Sequence, residues 1–487
     1  MKTNQTIKNG LAVLFLAATV LSAFSCKQEQ AARKEGVPWI VSKALYDNSS
    51  VYFADYGSYP SKRMELPIGM FDSGTGGLTV LEQFLAMDMF DNETGEKKSD
   101  GIPDFGAEDF IYLADQANMP YGVYSSQQKE DYLKELIIKD ALFLTTEPNR
   151  TKIVVIACNT ATAYGLDDVK SLLEYSGTGI RTIGVINAGV EGVFESIDLE
   201  EKSFAIGVLA TVGTISSKGY QNSIVSHATA NGYDGDLRVV AQGGLGFAEA
   251  VDSEPDYISV SATSVRENYR GPKWGDSLGI RSDLLPLYNF DKSGNALLIK
   301  TGAKGEILDM QLNSAGNYAR FHMVTMMQKH RESNPGIKMK GVILGCTHYP
   351  YLLDTLVRVT EELHQYEEEG IKVFAGLIDD NMEFVDPAVN TAKETYIALR
   401  EAGLLKRSSN PGKLSAYISV PGKELPDSVT DGAGNLRFNF KYGRETGSEK
   451  SAVTVVPFSK ENINRENLTR IMERLPLSYS LIEKNFN

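Results

Sequence analysis

The chain has 487 residues, more than one hydrophobic core usually organises, so at roughly 150 residues per domain two or three domains are expected. With 42% hydrophobic and 23% charged residues, and 44 Gly and 17 Pro without period, it is neither collagen-like nor wholly disordered. Its 49 basic and 63 acidic side chains leave a net charge of −14 with no basic stripe, which speaks against a nucleic-acid partner, and three cysteines cannot supply a disulfide framework.

Residues 1–26 carry Lys2 and Lys8, then an apolar run from Leu11 to Phe24, then Ser25-Cys26 and polar text. A positive start, an apolar stretch and small residues at its end define a secretory signal. The run is too short to span ~30 Å of hydrocarbon as a stable helix. A cysteine in this place resembles a bacterial lipobox, which implies lipidation at Cys26; the alternative is an ordinary cleaved signal with an incidental cysteine. Residues 27–64 read as a tether and N-terminal segment. No later stretch reaches the ~18 apolar residues of a membrane-spanning helix.

From residue 65 to 405 short apolar runs alternate with helix-length segments. Ile68–Phe71 leads into Asp72-Ser-Gly-Thr-Gly-Gly77 and then an apolar-rich helical pattern from Leu78 to Leu85. The loop from Asp91 to Asp104 is acidic, without the spacing of a calcium-binding EF-hand, and reads as solvated. Phe110–Leu113, Ile153–Ile156 and Ala205–Ala210 follow as buried strands. About 265–315 reads as an inserted β-ribbon, with a hairpin centred on Lys292-Ser-Gly-Asn295. Residues 406–487 change to Arg/Ser/Asn/Pro/Gly-rich text, two strand-like runs and an amphipathic helix, and read as a C-terminal α+β extension. The fold class is α/β, with doubly wound parallel sheets.

Two segments align without gaps, with Lys, Val and Cys at corresponding places: Lys152-Ile-Val-Val-Ile-Ala-Cys158 and Lys340-Gly-Val-Ile-Leu-Gly-Cys346. Each is a strand whose carboxyl end delivers a thiol, where open α/β sheets bind ligands. Two related half-domains are thus expected to present Cys158 and Cys346 to one cleft. Asp72 would stand near Cys158 and His348 near Cys346. Such a pair suits removal of an amino acid's α-proton on one face and return of a proton on the other, since a thiol's pKa of ~8.5 falls towards neutrality beside suitable partners. Neither a Walker lysine nor a Cys-x-x-Cys pair is present, and two Cys with one His make an incomplete zinc set, so no metal is expected. Nothing suggests a pyridoxal-binding lysine, and the chemistry reads as cofactor-free.

Ile68–Leu81, Val155–Ala161 and Val342–Pro350 resemble the three signature segments of glutamate racemase, in the aspartate/glutamate racemase superfamily. Tyr112–Asp115 with Met119–Gly122, Ala210–Thr214 and Val385–Ala388 resemble further family segments in the same order. The resemblance implies two pseudo-symmetric lobes with the active site between them, and D/L interconversion of glutamate without a cofactor. It implies Cys158 and Cys346 as catalytic thiols assisted by Asp72 and His348. Ser73, Pro120, Tyr121, Gly122, Asn159, Thr160 and Thr347 would hold a small acidic amino acid, and Glu249 is a possible additional acid. A homodimer is possible. The alternatives are a catalytically silent envelope lipoprotein that binds an amino acid or peptide, and a racemase for aspartate or another acidic compound. The family supplies D-glutamate for peptidoglycan precursors in the cytoplasm, whereas this chain reads as exported and lipid-anchored in the bacterial envelope, on a periplasmic or surface face.

Overall fold

The computed structural model describes residues 37–276, 278–432, 434–448, 451–484 and 486. The signal segment with Cys26, and residues 27–36 of the tether, lie outside the described residues. In chain order the strands are β1 (Ile68–Asp72), β2 (Phe110–Ala114), β3 (Ile153–Ile156), β4 (Arg181–Gly184), β5 (Ser203–Ala210) and β6 (Asp236–Gly243). They continue with β7 (Leu297–Thr301), β8 (Ile307–Leu312), β9 (Met339–Gly345), the two-residue β10 (Glu367–Glu368) and β11 (Ile371–Lys372), then β12 (Ile378–Val385), β13 (Leu414–Pro421) and β14 (Val453–Pro457).

Two separate sheets carry the molecule. The first has the order β14-β13-β2-β1-β3-β4 and the second β12-β9-β5-β6. Within the second sheet every pairing is parallel, and in the first only β14 runs antiparallel. Numbered by appearance in each lobe, the first four strands of each run 2-1-3-4, so the two halves share one winding. In that scheme β3 and β9 are equivalent third strands, which is why the matching segments 152–158 and 340–346 end at corresponding places.

The continuous apolar runs follow from helices covering both faces of each sheet. Side chains alternate between faces along β3: Ile153 and Val155 enter one core cluster, Val154 and Ile156 another. On β9, Val342 and Leu344 point to one core and Ile343 to the other. The chain returns to the first lobe through the helix Pro387–Glu401. Asp386 caps that helix by accepting the Ala388 N–H at 3.0 Å, and Pro387 occupies its first turn, which gives the Asp-Pro-Ala segment a structural role.

Three sequence expectations are corrected here. The tether reading fails for residues 39–46, because the helix Trp39–Tyr46 buries Ile40, Val41 and Ala44 in the first lobe's core. The ribbon comprises β7 and β8 in antiparallel register, but its turn is 302–306, where Gly302 N–H bonds to Glu306 O; Ser293–Ala296 forms a separate turn leading into β7. The segment 406–487 is not an appendage: β13 pairs in parallel with β2, and Ile471, Leu475 and Ile482 complete the first lobe's core. In the acidic loop, Asp91, Asp100 and Asp104 accept the N–H groups of Thr94, Asn92 and Met89 at 2.6, 2.8 and 2.7 Å, so its carboxylates are held by the loop's own backbone. Among the described residues no helix is long and apolar enough to cross a membrane.

Candidate active site

Asp72 is the last residue of β1, and Cys158 follows β3, its neighbour in the sheet. The space between them is the switch point of a 2-1-3-4 winding, where helices leave to opposite faces and open a crevice. Cys346 follows β9 at the equivalent point of the second lobe, with Thr211 after β5. The lobes place these two crevices against each other. One cavity results, lined by Asp72, Ser73, Met119, Pro120, Tyr121, Gly122, Cys158, Asn159, Thr160, Thr211, Ala248, Glu249, Cys346, Thr347 and His348. Every residue expected from the sequence to act on or hold the substrate is in that lining. Its free volume is about 30 Å³, above the ~10–15 Å³ that one water molecule needs.

Each thiol has its own surroundings. Cys158 caps the helix Asn159–Tyr175, its sulfur accepting the Ala161 N–H at 3.4 Å and lying 3.6 Å from Ser73 Oγ. Burial and the neighbouring Asp72 carboxyl push the Cys158 thiol well up, which corrects the expectation that its partners would draw it towards neutrality. Asp72 itself is buried, and burial raises its carboxyl although His348, the Gly77 N–H at 2.7 Å and Cys158 oppose the rise. Cys346 instead faces an imidazole: its sulfur is 3.6 Å from His348 Nδ1. His348 Nε2 meets Asp252 Oδ2 at 3.0 Å. Burial works to lower His348, but Asp252 and the contact with Cys346 hold it well above the usual histidine range. Asp252, despite burial, is held down to about 2 by His348 and Arg470.

The remaining lining is set by contacts between the lobes. Gly76 lies so close to the second lobe that a Cβ there would sit 2.5 Å from Thr347 Oγ1 and 2.6 Å from His348 Cε1. The Thr160 hydroxyl is 3.0 Å from those of Thr211 and Thr214, and Tyr220 donates its hydroxyl proton to Asn159 Oδ1. The Tyr121 phenol is turned away to Asp115 and Asp140, at 2.6 and 2.7 Å, so this residue offers the cavity its ring and backbone. Burial pushes Glu249 up to about 7. Among the described residues no three His, Cys, Asp or Glu side chains are grouped to hold a metal ion.

Sequence reasoning missed Asp252 and Arg470. Asp252 ends the short helix that presents Glu249 and had no spacing to mark it. Arg470 lies 218 residues further along the chain.

No family model matches the chain. Among curated proteins it is similar to a glutamate racemase of Levilactobacillus brevis, 35% identical over 353 residues, covering 72% of this chain and 86% of that relative. A glutamate racemase of Oceanobacillus iheyensis is 34% identical over 161 residues, 33% of this chain and about half (47%) of that relative's length. Among solved structures, Bacillus anthracis glutamate racemase aligns with 73% of this chain and 88% of its own at 19% identity and a TM-score of 0.44. Francisella tularensis glutamate racemase in complex with D-glutamate aligns with 79% and 96% at 19% identity and a TM-score of 0.41. With its two thiols closing one cavity, and 35% identity sustained across most of its length, the chain belongs to the glutamate racemase family.

Proposed function

We propose that the protein interconverts L- and D-glutamate without a cofactor. The observation that carries this reading is the shared cavity of Cys158 and Cys346, each thiol backed by a different proton-handling group. One sulfur takes the Cα hydrogen as a proton, and the C–H electron pair stays on Cα and spreads into the α-carboxylate. The opposite sulfur gives a proton to the other face of Cα. The substrate leaves inverted with its atoms unchanged in number, and the two sulfurs have exchanged protonation states. His348 Nδ1 can pass a proton to Cys346 or take it back, with Asp252 neutralising the ring's charge, while Asp72 serves Cys158.

The negative charge developing on the substrate carboxylate needs donors. Ser73, Thr160 and Thr347 line the cavity with hydroxyls, and the helix Asn159–Tyr175 begins there, its free N–H groups favouring an anion. Glutamate is the substrate named for the relatives, and a small zwitterion with a second carboxylate suits the polar lining of this cavity.

In deuterium oxide the product should carry deuterium at Cα, read by mass spectrometry. Replacing either Cys158 or Cys346 with Ala should abolish turnover, and full activity in both variants would overturn the reading.

We also propose an envelope location with a lipid anchor at Cys26, supported by the signal-like composition of residues 1–26. The full chain should partition into detergent and Cys26→Ser should not; equal partition of the two removes the anchor.

A further inference from the structure

We propose that Arg470, on the C-terminal helix Arg465–Arg474, is a positioning residue for the Cys346 side of the reaction, acting through Asp252 and His348. The proposal rests on the racemase reading above. The helix belongs to the first lobe: Asn464 caps it, accepting the Asn467 N–H at 2.7 Å, and Ile471 and Leu475 are buried in that lobe's core. Asp252 and Cys346 belong to the second lobe. Arg470 therefore reaches across the boundary between the lobes.

Its guanidinium is held by several contacts. One terminal nitrogen donates to Val251 O at 2.6 Å, the other pairs with Asp252 Oδ1, and the plane lies 5.1 Å from the centre of the Tyr351 ring. The two oxygens of Asp252 thereby divide their work, Oδ1 to Arg470 and Oδ2 to His348 Nε2. The other ring nitrogen faces the Cys346 sulfur. Asp252 and His348 are each 4% exposed. A carboxylate held at one oxygen by one arm of a guanidinium, whose other arm is fixed on Val251 O, presents its second oxygen in a defined direction, and that direction aims the imidazole at sulfur. Among the described residues Cys158 has no such chain behind it, because Asp72 is held by the Gly77 N–H of its own loop.

The asymmetry supplies the test. In Arg470→Met, kcat should fall about tenfold with KM changed less than about twofold, since substrate contacts are intact and proton transfer is misaligned. The primary isotope effect on α-deuterated glutamate should rise for one enantiomer and stay unchanged for the other. Arg470→Lys, which keeps the charge and loses the two-armed hold, should recover only a small part of the rate.

A second readout needs no turnover. Alkylation by iodoacetamide, followed at each cysteine-containing peptide, should slow at Cys346 by at least about threefold and be unchanged at Cys158. Equal changes at both sulfurs and for both enantiomers would mean that Arg470 only supports the fold, and no change in either readout would equally overturn the proposal. A native protein that racemises nothing, with Cys346 alone slowed in Arg470→Met, would sink the racemase reading and leave the positioning role standing.

Discussion

Lys152, the residue before β3, has its ammonium enclosed, 2.5 Å from Glu108 Oε2 and 2.8 and 2.9 Å from the carbonyls of Met64 and Leu404. Its counterpart Lys340 pairs with Asp379 at 2.8 Å and Glu201 at 2.6 Å, so both lysines of the repeated segment are neutralised. Glu108→Ala leaves a buried cation with carbonyls alone, and is expected to cost about 3–5 kcal/mol in a urea unfolding experiment. Glu249 offers a pH test. Burial raises its carboxyl from 4.5 to about 7, so the folded protein keeps a proton that the unfolded chain releases. Stability therefore falls as pH rises through that window, by up to about 3 kcal/mol from this group. Urea midpoints for Glu249→Gln should lack that share of the fall between pH 5 and pH 8, and an identical pH dependence in both proteins would contradict the assignment.

The loop Ser73–Gly77 lies in close contact with the other lobe. Gly76→Ala inserts a methyl against Thr347 and His348, and kcat is expected to drop at least about tenfold, with a loss of about 1–3 kcal/mol in urea unfolding from the overpacking. This loop was legible in the sequence because its glycines follow a buried strand directly, and the same local rule exposed Cys158 and Cys346: an apolar run that stops at a thiol and small polar residues. Asp252 and Arg470 were not legible, because their meeting depends on how two lobes dock and not on any spacing within one segment. The ribbon's turn was misplaced because both Ser-Gly-Asn and the later Gly-Glu pair carry turn chemistry, and only the pairing of Leu297 with Leu312 decides between them. The segment 39–46 read as tether because a short apolar stretch set in polar text means little until a partner surface is known.

At the scale of the molecule, the chain weaves back into its first lobe, and residues 406–487 complete a sheet begun far upstream. Ending the chain at 405 strips β13 from β2 and removes Ile471, Leu475 and Ile482 from the core. Such a truncation is expected to elute from a sizing column as aggregate, since an open apolar edge invites pairing between chains. The shared 2-1-3-4 winding has a further implication. Third strands are alike followed by a cysteine, but first strands end differently, in Asp72 and in the Ala210-Thr211 step. A machine for turning a molecule into its reflection is thus built from two arms that are not reflections of each other. Because mirror-image solutes have equal free energies in water, neither arm can tilt the final mixture. Whatever speed one hand gains in leaving the enzyme must be matched by how loosely it is held.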